Sequence, residues 1–494
     1  MAKRKTHIRG SRGRRMADLL RGVDLERVLV VPIDAAKFNP KAMVANYFGD
    51  VLAYPFFFGV NREGMALLHR KIQECARRVG AQRILVGMEA TGHYHEPIVA
   101  ALEGYGYQVT LINPCTTAYE RSSALNWAKT DDLDLATLGS ILAQNKGTDS
   151  RLLGGVYSEL RMAARARRGE ALQCNRLKNR ICRLMDGVWR EFQGLLVTEP
   201  RGGARVEPVF SDMWGRAARF FMRHYPLPQQ VAELGEEGIQ ALSRAHHLYL
   251  KRTTIAKLVE AARRAIEPDP ARVKLILREL QRQLEDLDRV EERIAEWDHH
   301  LAGLLVRTPG VLLLSMPGIG VVTAAEYIGE IGPPTQYWDG RQIIKRAGTN
   351  PLVYQSGEGK VVYGPISRQG NAHLRRVLAH VGKSLGDHNP YFQAYAEALR
   401  ERGLKPRQIN VALGNKFAHV SLAMMKRGEL FNPPAWRGQP LARSPLSRLA
   451  DEGQREVALQ TLRQLQQQRD GLGAKVPLPE RGLGEEETVY ALGL

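Results

Sequence analysis

Four acidic residues have the types and spacing for phosphate chemistry. Asp34 closes the apolar run Val28-Leu29-Val30-Val31-Pro32-Ile33, and Glu89 closes Arg83-Ile84-Leu85-Val86-Gly87-Met88. Asp131 and Asp134 lie in Ala128-Lys129-Thr130-Asp131-Asp132-Leu133-Asp134, where a predicted helix begins, and their spacing puts both on one helix face. Carboxylates converging from two strand ends and a helix repel one another unless hard cations neutralise them. An oxygen-only set selects Mg²⁺, or Mn²⁺, over zinc. Two such ions ~3.5–4 Å apart would bracket a scissile phosphate. Each acid also has a plain structural reading: Asp34 as a turn cap, Glu89 as a buried acid paired with arginine, Asp131 as a helix N-cap. Asp132 points about a third of a turn away from Asp131. His93 and His95 lack a partner in ligand spacing and read as loop or substrate-contact residues.

The elements that would position these acids follow from the pattern of apolar residues. The run ending at Asp34 is β-branched and short, hence a strand. Met43 to Tyr47 and Val51 to Phe58 are two more, separated by a Gly49-Asp50 turn. A helix is predicted from Glu63 to Val79, then the strand ending at Glu89, a helix from Glu96 to Glu103 and a strand from Gln108 to Ile112. Strands joined by hairpins, then strands alternating with helices, describe a mixed α/β sheet, an order that the ribonuclease-H-like (RuvC-like) fold has.

From about 150 to 195 the chain is helical and basic. Arg161, Arg165 and Arg168, and again Arg176, Arg180 and Arg183, each line one helix face beside the stripe Leu177, Ile181, Leu184 and Val188. These faces suit a nucleic-acid backbone, or else simply face solvent. Glu199 to Val206 reads as a loop, about 209–265 as a small helical segment broken at Pro268 and Pro270, and 271–303 as a long helix. Its Leu277, Leu280, Leu284, Leu287, Val290, Ile294, Trp297 and Leu301 form a coiled-coil seam, either self-paired or packed on a neighbouring helix. The expected division is a basic arm (1–26), an α/β domain (27–150), a helical coiled-coil connector (151–304), a mainly α C-terminal domain (305–432) and a partly disordered tail (433–494).

Of the 494 residues, 44% are hydrophobic, enough for a sizeable core. The 71 Lys and Arg exceed the 52 Asp and Glu, a formal net charge of +19 that favours polyanionic partners. Cys75, Cys115, Cys174 and Cys182 form no C-x-x-C pair, so neither a zinc site nor a disulfide framework is indicated. No apolar run is long enough to span a bilayer, and no signal core follows the basic N-terminus, so a soluble cytoplasmic protein without membrane partners is expected.

Several segments together resemble a known family. Ile33-Asp34-Ala35-Ala36-Lys37 is similar to its I-D-x-x-K motif, Glu89-Ala90-Thr91-Gly92-His93-Tyr94 to its E-A-T-G-x-Y, and Lys129-Thr130-Asp131 with Asp134 to its K-T-D-x-x-D. Pro317-Gly318-Ile319-Gly320, Ala347-Gly348, Tyr354-Gln355-Ser356-Gly357, Ile366-Ser367-Arg368-Gln369-Gly370-Asn371 and Leu374-Arg375-Arg376 recur in the same order. The family is the DEDD transposases of the insertion-sequence one-ten type, which includes Piv-type DNA invertases and bridge-RNA-guided recombinases. The resemblance covers roughly 27–430. Pro32 in place of Gly, Leu135 in place of Ala and Gln369 in place of a basic residue depart from the pattern without removing a catalytic side chain.

The resemblance implies a Mg²⁺-binding set of Asp34, Glu89, Asp131 and Asp134, and Ser356 as the nucleophile that forms a covalent serine–DNA link. Without it, Ser356 in a Ser-Gly-Glu-Gly stretch would read as a loop former. It further implies donor and target DNA, a structured non-coding guide (bridge) RNA, a homo-oligomer from dimer to tetramer, and nucleoid association in a prokaryotic cell. Gly318 and Gly320 read either as a helix-hairpin-helix turn contacting phosphates or as a tight turn between helices. Arg368, Arg375, Arg376 and Lys383 are candidate DNA-backbone contacts. A carboxylate-only nuclease and a non-catalytic nucleic-acid-binding protein are the alternative functions.

Overall fold

The computed structural model describes residues 20–90, 92–123, 130–149, 154–198, 202–354, 362–433 and 443–471. Its N-terminal part is built on a mixed sheet in the order β3-β2-β1-β4-β5-β6. The strands are β1 (Val28–Asp34), β2 (Lys41–Asn46), β3 (Val51–Phe57), β4 (Arg83–Glu89), β5 (Val109–Ile112) and the short β6 (Thr148–Asp149). β1 pairs antiparallel with β2 and parallel with β4, and β4 pairs parallel with β5. β1 reads as a continuous apolar run because both faces of the sheet are covered. Leu29, Val31 and Ile33 pack toward α1 (Arg62–Val79) and α2 (His95–Gly104) through Leu68, Ile72, Ile98 and Leu102. Val30 packs on the opposite face. α3 (Pro114–Ser123) leads toward α4 (Asp131–Ala143), whose Leu138, Ile141 and Leu142 cover that second face.

The connector has its own core. α5 (Val156–Val188) is followed by the hairpin β7 (Gly194–Thr198) and β8 (Ala204–Pro208), so part of the expected loop at 199–206 is strand. The helices α6 (Arg216–His224), α7 (Pro228–Ala245) and α8 (Arg252–Arg264) pack around Trp189, Phe192, Phe210 and Phe221. α9 (Pro270–Leu305) starts where Asp269 accepts the Ala271 N–H at 2.9 Å and Pro270 supplies a preset φ. Its seam is covered within the chain by α5 running antiparallel. Arg167–Asp298, Glu170–Arg293, Lys178–Glu291 and Arg180–Gln283 are successive cross-links along the pair.

The C-terminal unit comprises α10 (Val321–Ile331), α11 (Gly340–Ala347), the hairpin β9 (Pro351–Tyr354) and β10 (Val362–Ile366), α12 (Ala372–His388), α13 (Pro390–Glu401) and α14 (Pro406–Arg427). α15 (Glu452–Gly471) follows. Its Ala458, with Leu449 before it, is buried in the same core, so the described part of the chain past 443 packs on the C-terminal unit. The apolar composition of the region, low next to its Gln and Arg content, concealed these few contacts. Among the described residues no helix is long and apolar enough to cross a membrane.

Candidate active site

Register brings the first two acids together. Ile33 is the partner of Met88 in the parallel β1–β4 pair, so Asp34 and Glu89 end adjacent strands at one edge of the sheet. Thr130 caps α4, its Oγ1 accepting the Leu133 N–H at 3.3 Å, and this fixes Asp131, Asp132 and Asp134 in the first turn. α4 then runs back along β1. A Cβ on Gly139 would lie 3.8 Å from Pro32 Cγ, and one on Gly87 only 2.3 Å from Leu142 Cδ2. Gly87 therefore lets the helix sit close to the sheet, with its acidic end at the edge that bears Asp34 and Glu89.

Two cations that the motif reading passed over hold this corner. Lys41, the cross-strand partner of Asp34, pairs through Nζ with Asp132 Oδ1. Arg121 Nη2 lies 2.5 Å from Asp134 Oδ1. That oxygen is buried and is held by Arg121 as a charge pair. Lys41 could have been noticed as the polar start of an otherwise apolar strand; Arg121 carries no local signal. The four acids share one edge, yet among the described residues no three His, Cys, Asp or Glu side chains stand as a metal-holding group. Like-charge repulsion separates carboxylates, and Arg121 and Lys41 draw the α4 acids to themselves. The donor chemistry of the four acids, all carboxylate oxygen, is the type that a hard dication takes.

Ser356 lies outside the described residues, in 355–361 between β9 and β10. The base of that hairpin is described and is clamped by the segments singled out in the sequence. Ser367 N donates to Asn350 O at 2.8 Å, Arg368 N to Gly348 O at 3.0 Å and Asn371 N to Arg346 O at 2.7 Å. Arg375 Nη1 donates to Ala347 O at 2.9 Å and Arg368 O at 3.2 Å. Asn371 caps α12 and donates through Nδ2 to Glu330 Oε2 at 2.6 Å. Arg165 grips the same carboxylate through Nε at 2.8 Å and Nη2 at 3.0 Å. Burial pushes Glu330 up, but Arg165 and Asn371 outweigh it and hold the carboxyl below its ordinary value.

The expected nucleic-acid contacts thus divide. Arg165, Arg375 and Arg376 are engaged within the fold, Arg376 with buried Glu326 at 3.0 Å. Burial pulls Arg161 down beside Arg165. Arg180 donates to Gln283, while Arg176 and Arg183 are exposed on α5 and Arg168 is half-buried. Arg368 adopts a φ of 53° at the hairpin base. Gly318 has a φ of 90°, and its carbonyl accepts from Ser384 Oγ at 2.7 Å, which seats the Pro317–Gly320 turn on the end of α12.

A family model described as Transposase, of the DEDD IS110 type, matches residues 31–190, and one described as Transposase IS116/IS110/IS902 family matches 311–397. The first span contains the four acids and the second contains Ser356, so the chain falls in the class of transposases. It belongs to the IS110 family. A pilin gene-inverting protein of Moraxella bovis is 27% identical over 148 residues, 28% of this chain and 46% of that protein. The transposase for insertion sequence element IS1111A of Coxiella burnetii is 33% identical over 24% of this chain and 33% of its own length. The insertion element IS110 uncharacterized 43.6 kDa protein of Streptomyces coelicolor is 22% identical over 64% of this chain and 75% of its own. The match to the first two relatives thus covers less than half the length of each.

Proposed function

We propose that the protein is a DNA transposase or recombinase that cuts and rejoins donor and target DNA through a covalent serine–DNA intermediate, with a RuvC-like domain supplying a metal-binding acid edge. The observation that carries this reading is the β1–β4 register together with the run of α4, which gather Asp34, Glu89, Asp131 and Asp134 at one sheet edge. The sheet order and strand directions also suit a ribonuclease-H-like domain. Asp34, Glu89, Asp131 and Asp134 would hold Mg²⁺ or Mn²⁺, with Asp134 exchanging Arg121 for the metal. A bound dication supplies charge neutralisation at the phosphate and acidifies a coordinated hydroxyl.

Ser356 Oγ attacks phosphorus while its proton passes to a neighbouring base, and a sugar oxygen leaves with the bonding electron pair. A sugar hydroxyl of the incoming strand then attacks the phosphoserine ester and releases Ser356. Each exchange replaces one phosphoester with another, so no nucleotide triphosphate is needed. The base of the hairpin that leads to Ser356 is clamped by Ser367 on Asn350 and by Arg165 and Asn371 on Glu330. A structured guide RNA and a homo-oligomer belong to the same reading through the family resemblance, as does DNA as substrate through the names of the relatives.

The test is trapping. Protein, RNA from the flanking element, donor and target DNA and Mg²⁺ are combined and resolved on a denaturing gel. A protein–DNA adduct is expected that disappears in Ser356→Ala and in Asp34→Asn and on chelation. Cleavage that survives Ser356→Ala without an adduct would instead identify a carboxylate-only nuclease.

A further inference from the structure

The acid edge continues across the sheet into a feature that the acids do not explain. Asp34 of β1 pairs with Lys41 of β2, and Lys41 pairs with Phe57 of β3, so the three form one row. Directly opposed residues share a face, and Lys41 Nζ stands 5.1 Å from the Phe57 ring centroid. The neighbouring Phe56 turns to the other face, where it packs in the core beneath α1. β3 is the outermost strand of the sheet. Phe57 is 59% exposed, and in the loop after Asp34, Phe38 is 70% exposed with Lys37 Nζ 4.9 Å from its ring. Tyr54, on the same edge strand, is 81% exposed. Single exposed rings are common. Two exposed rings at the ends of β1 and β3, each with a lysine beside it, offer the combination of stacking plane and cation that binds unpaired nucleotides.

We propose that Phe57 and Phe38, with Lys37 as the exposed cation beside them, bind an unpaired DNA strand by base stacking and lead it to the acid edge, while Lys41 stays paired with Asp132 beneath Phe57. A second protein strand is the competing occupant of a sheet edge, and Pro55 in the middle of β3 opposes it by removing a ladder donor. A duplex would not use the rings, since its bases are already stacked on one another. The choice of DNA rests on the proposed recombinase reading, which puts a DNA phosphate at the end of the same row.

Binding of a labelled oligothymidylate by the full chain, in chelator without Mg²⁺, tests the surface apart from catalysis. Phe57→Ala and Phe38→Ala should each weaken binding by about tenfold, the range of one lost base–aromatic stack. Phe57→Tyr should bind like the parent, and affinity for a blunt duplex should not change in any of them. Circular dichroism and thermal melting identify a variant that has merely unfolded. Alanine variants that fold and bind oligothymidylate as the parent does would overturn the proposal. So would an effect confined to an RNA strand of matching sequence, or a dimer that dissociates when Phe57 is replaced. A protein that binds through Phe57 yet forms no covalent adduct would keep this surface and lose the serine-recombinase reading.

Discussion

The carboxylate of Glu330 is 3% exposed and is gripped on one side by Arg165 and on the other by Asn371. Removing one member of a buried pair leaves a desolvated charge behind, at a cost of about 3–5 kcal/mol. Arg165 is part-exposed, so water can re-enter where its guanidinium was. Arg165→Ala should therefore cost about 3 kcal/mol, the low end of that range, as read by denaturant unfolding. A loss within the error of the measurement would mean that Asn371 alone suffices. The pH dependence has a definite sign. A carboxyl held below its ordinary value of 4.5 contributes stability above that pH and loses it as the pH falls through and below it. Glu330→Gln should flatten acid unfolding in that window while lowering stability at neutral pH. Because Asn371 also caps α12 and closes the hairpin base, either change should reduce adduct formation more than it reduces DNA binding.

Among the elements, α12 and α14 meet through two glycines. A Cβ on Gly382 would lie 1.9 Å from the Asn410 carbonyl oxygen, and one on Gly414 2.3 Å from that of Leu378. These contacts are backbone to backbone, so no side-chain rotation relieves them. Gly382→Ala should force the helices apart and cost about 3 kcal/mol, the upper part of the overpacking range. Gly386→Ala, facing only the flexible end of Leu413 at 3.0 Å, should cost far less. Melting temperatures of the two variants would decide it; equal losses would show that the crossing is not limiting. Element boundaries were largely readable in the chain. The strands ending at Asp34 and Glu89 and the helix Arg62–Val79 fall where apolar period and turn residues put them. The β7–β8 hairpin and α15 were not readable, since β8 is short and mostly exposed and α15 buries few residues.

On the scale of the whole molecule, α5 and α9 are shared between two cores. Leu160, Ala163 and Leu301 to Leu305 belong to the C-terminal core, whereas Leu177 to Val188 and Leu280 to Val290 belong to the connector core. At 33 and 36 residues the helices are each about 50 Å long, so the antiparallel α5–α9 pair ties the two units together as a strut. The formal net charge is +19. DNA affinity should therefore drop by about a thousandfold or more between 50 and 200 mM salt if roughly six phosphates are neutralised. Anisotropy titrations at several salt concentrations measure the slope, and a shallow slope would confine the contact to a few phosphates.

The sequence by itself determined the acids, their places at two strand ends and a helix start, and the motif order that marks the family. Those follow from local periodicity, capping and turn chemistry, which neighbouring residues set. Only the tertiary structure decided which charges are available. It engaged Arg165, Arg375 and Arg376 within the C-terminal unit, paired Asp132 and Asp134 with Lys41 and Arg121, and covered the α9 seam with α5. It also aligned Asp34, Lys41 and Phe57 in one row. Such pairings join residues up to 165 positions apart. No local pattern encodes them, because the energy of a charge or a ring depends on what the rest of the fold brings against it.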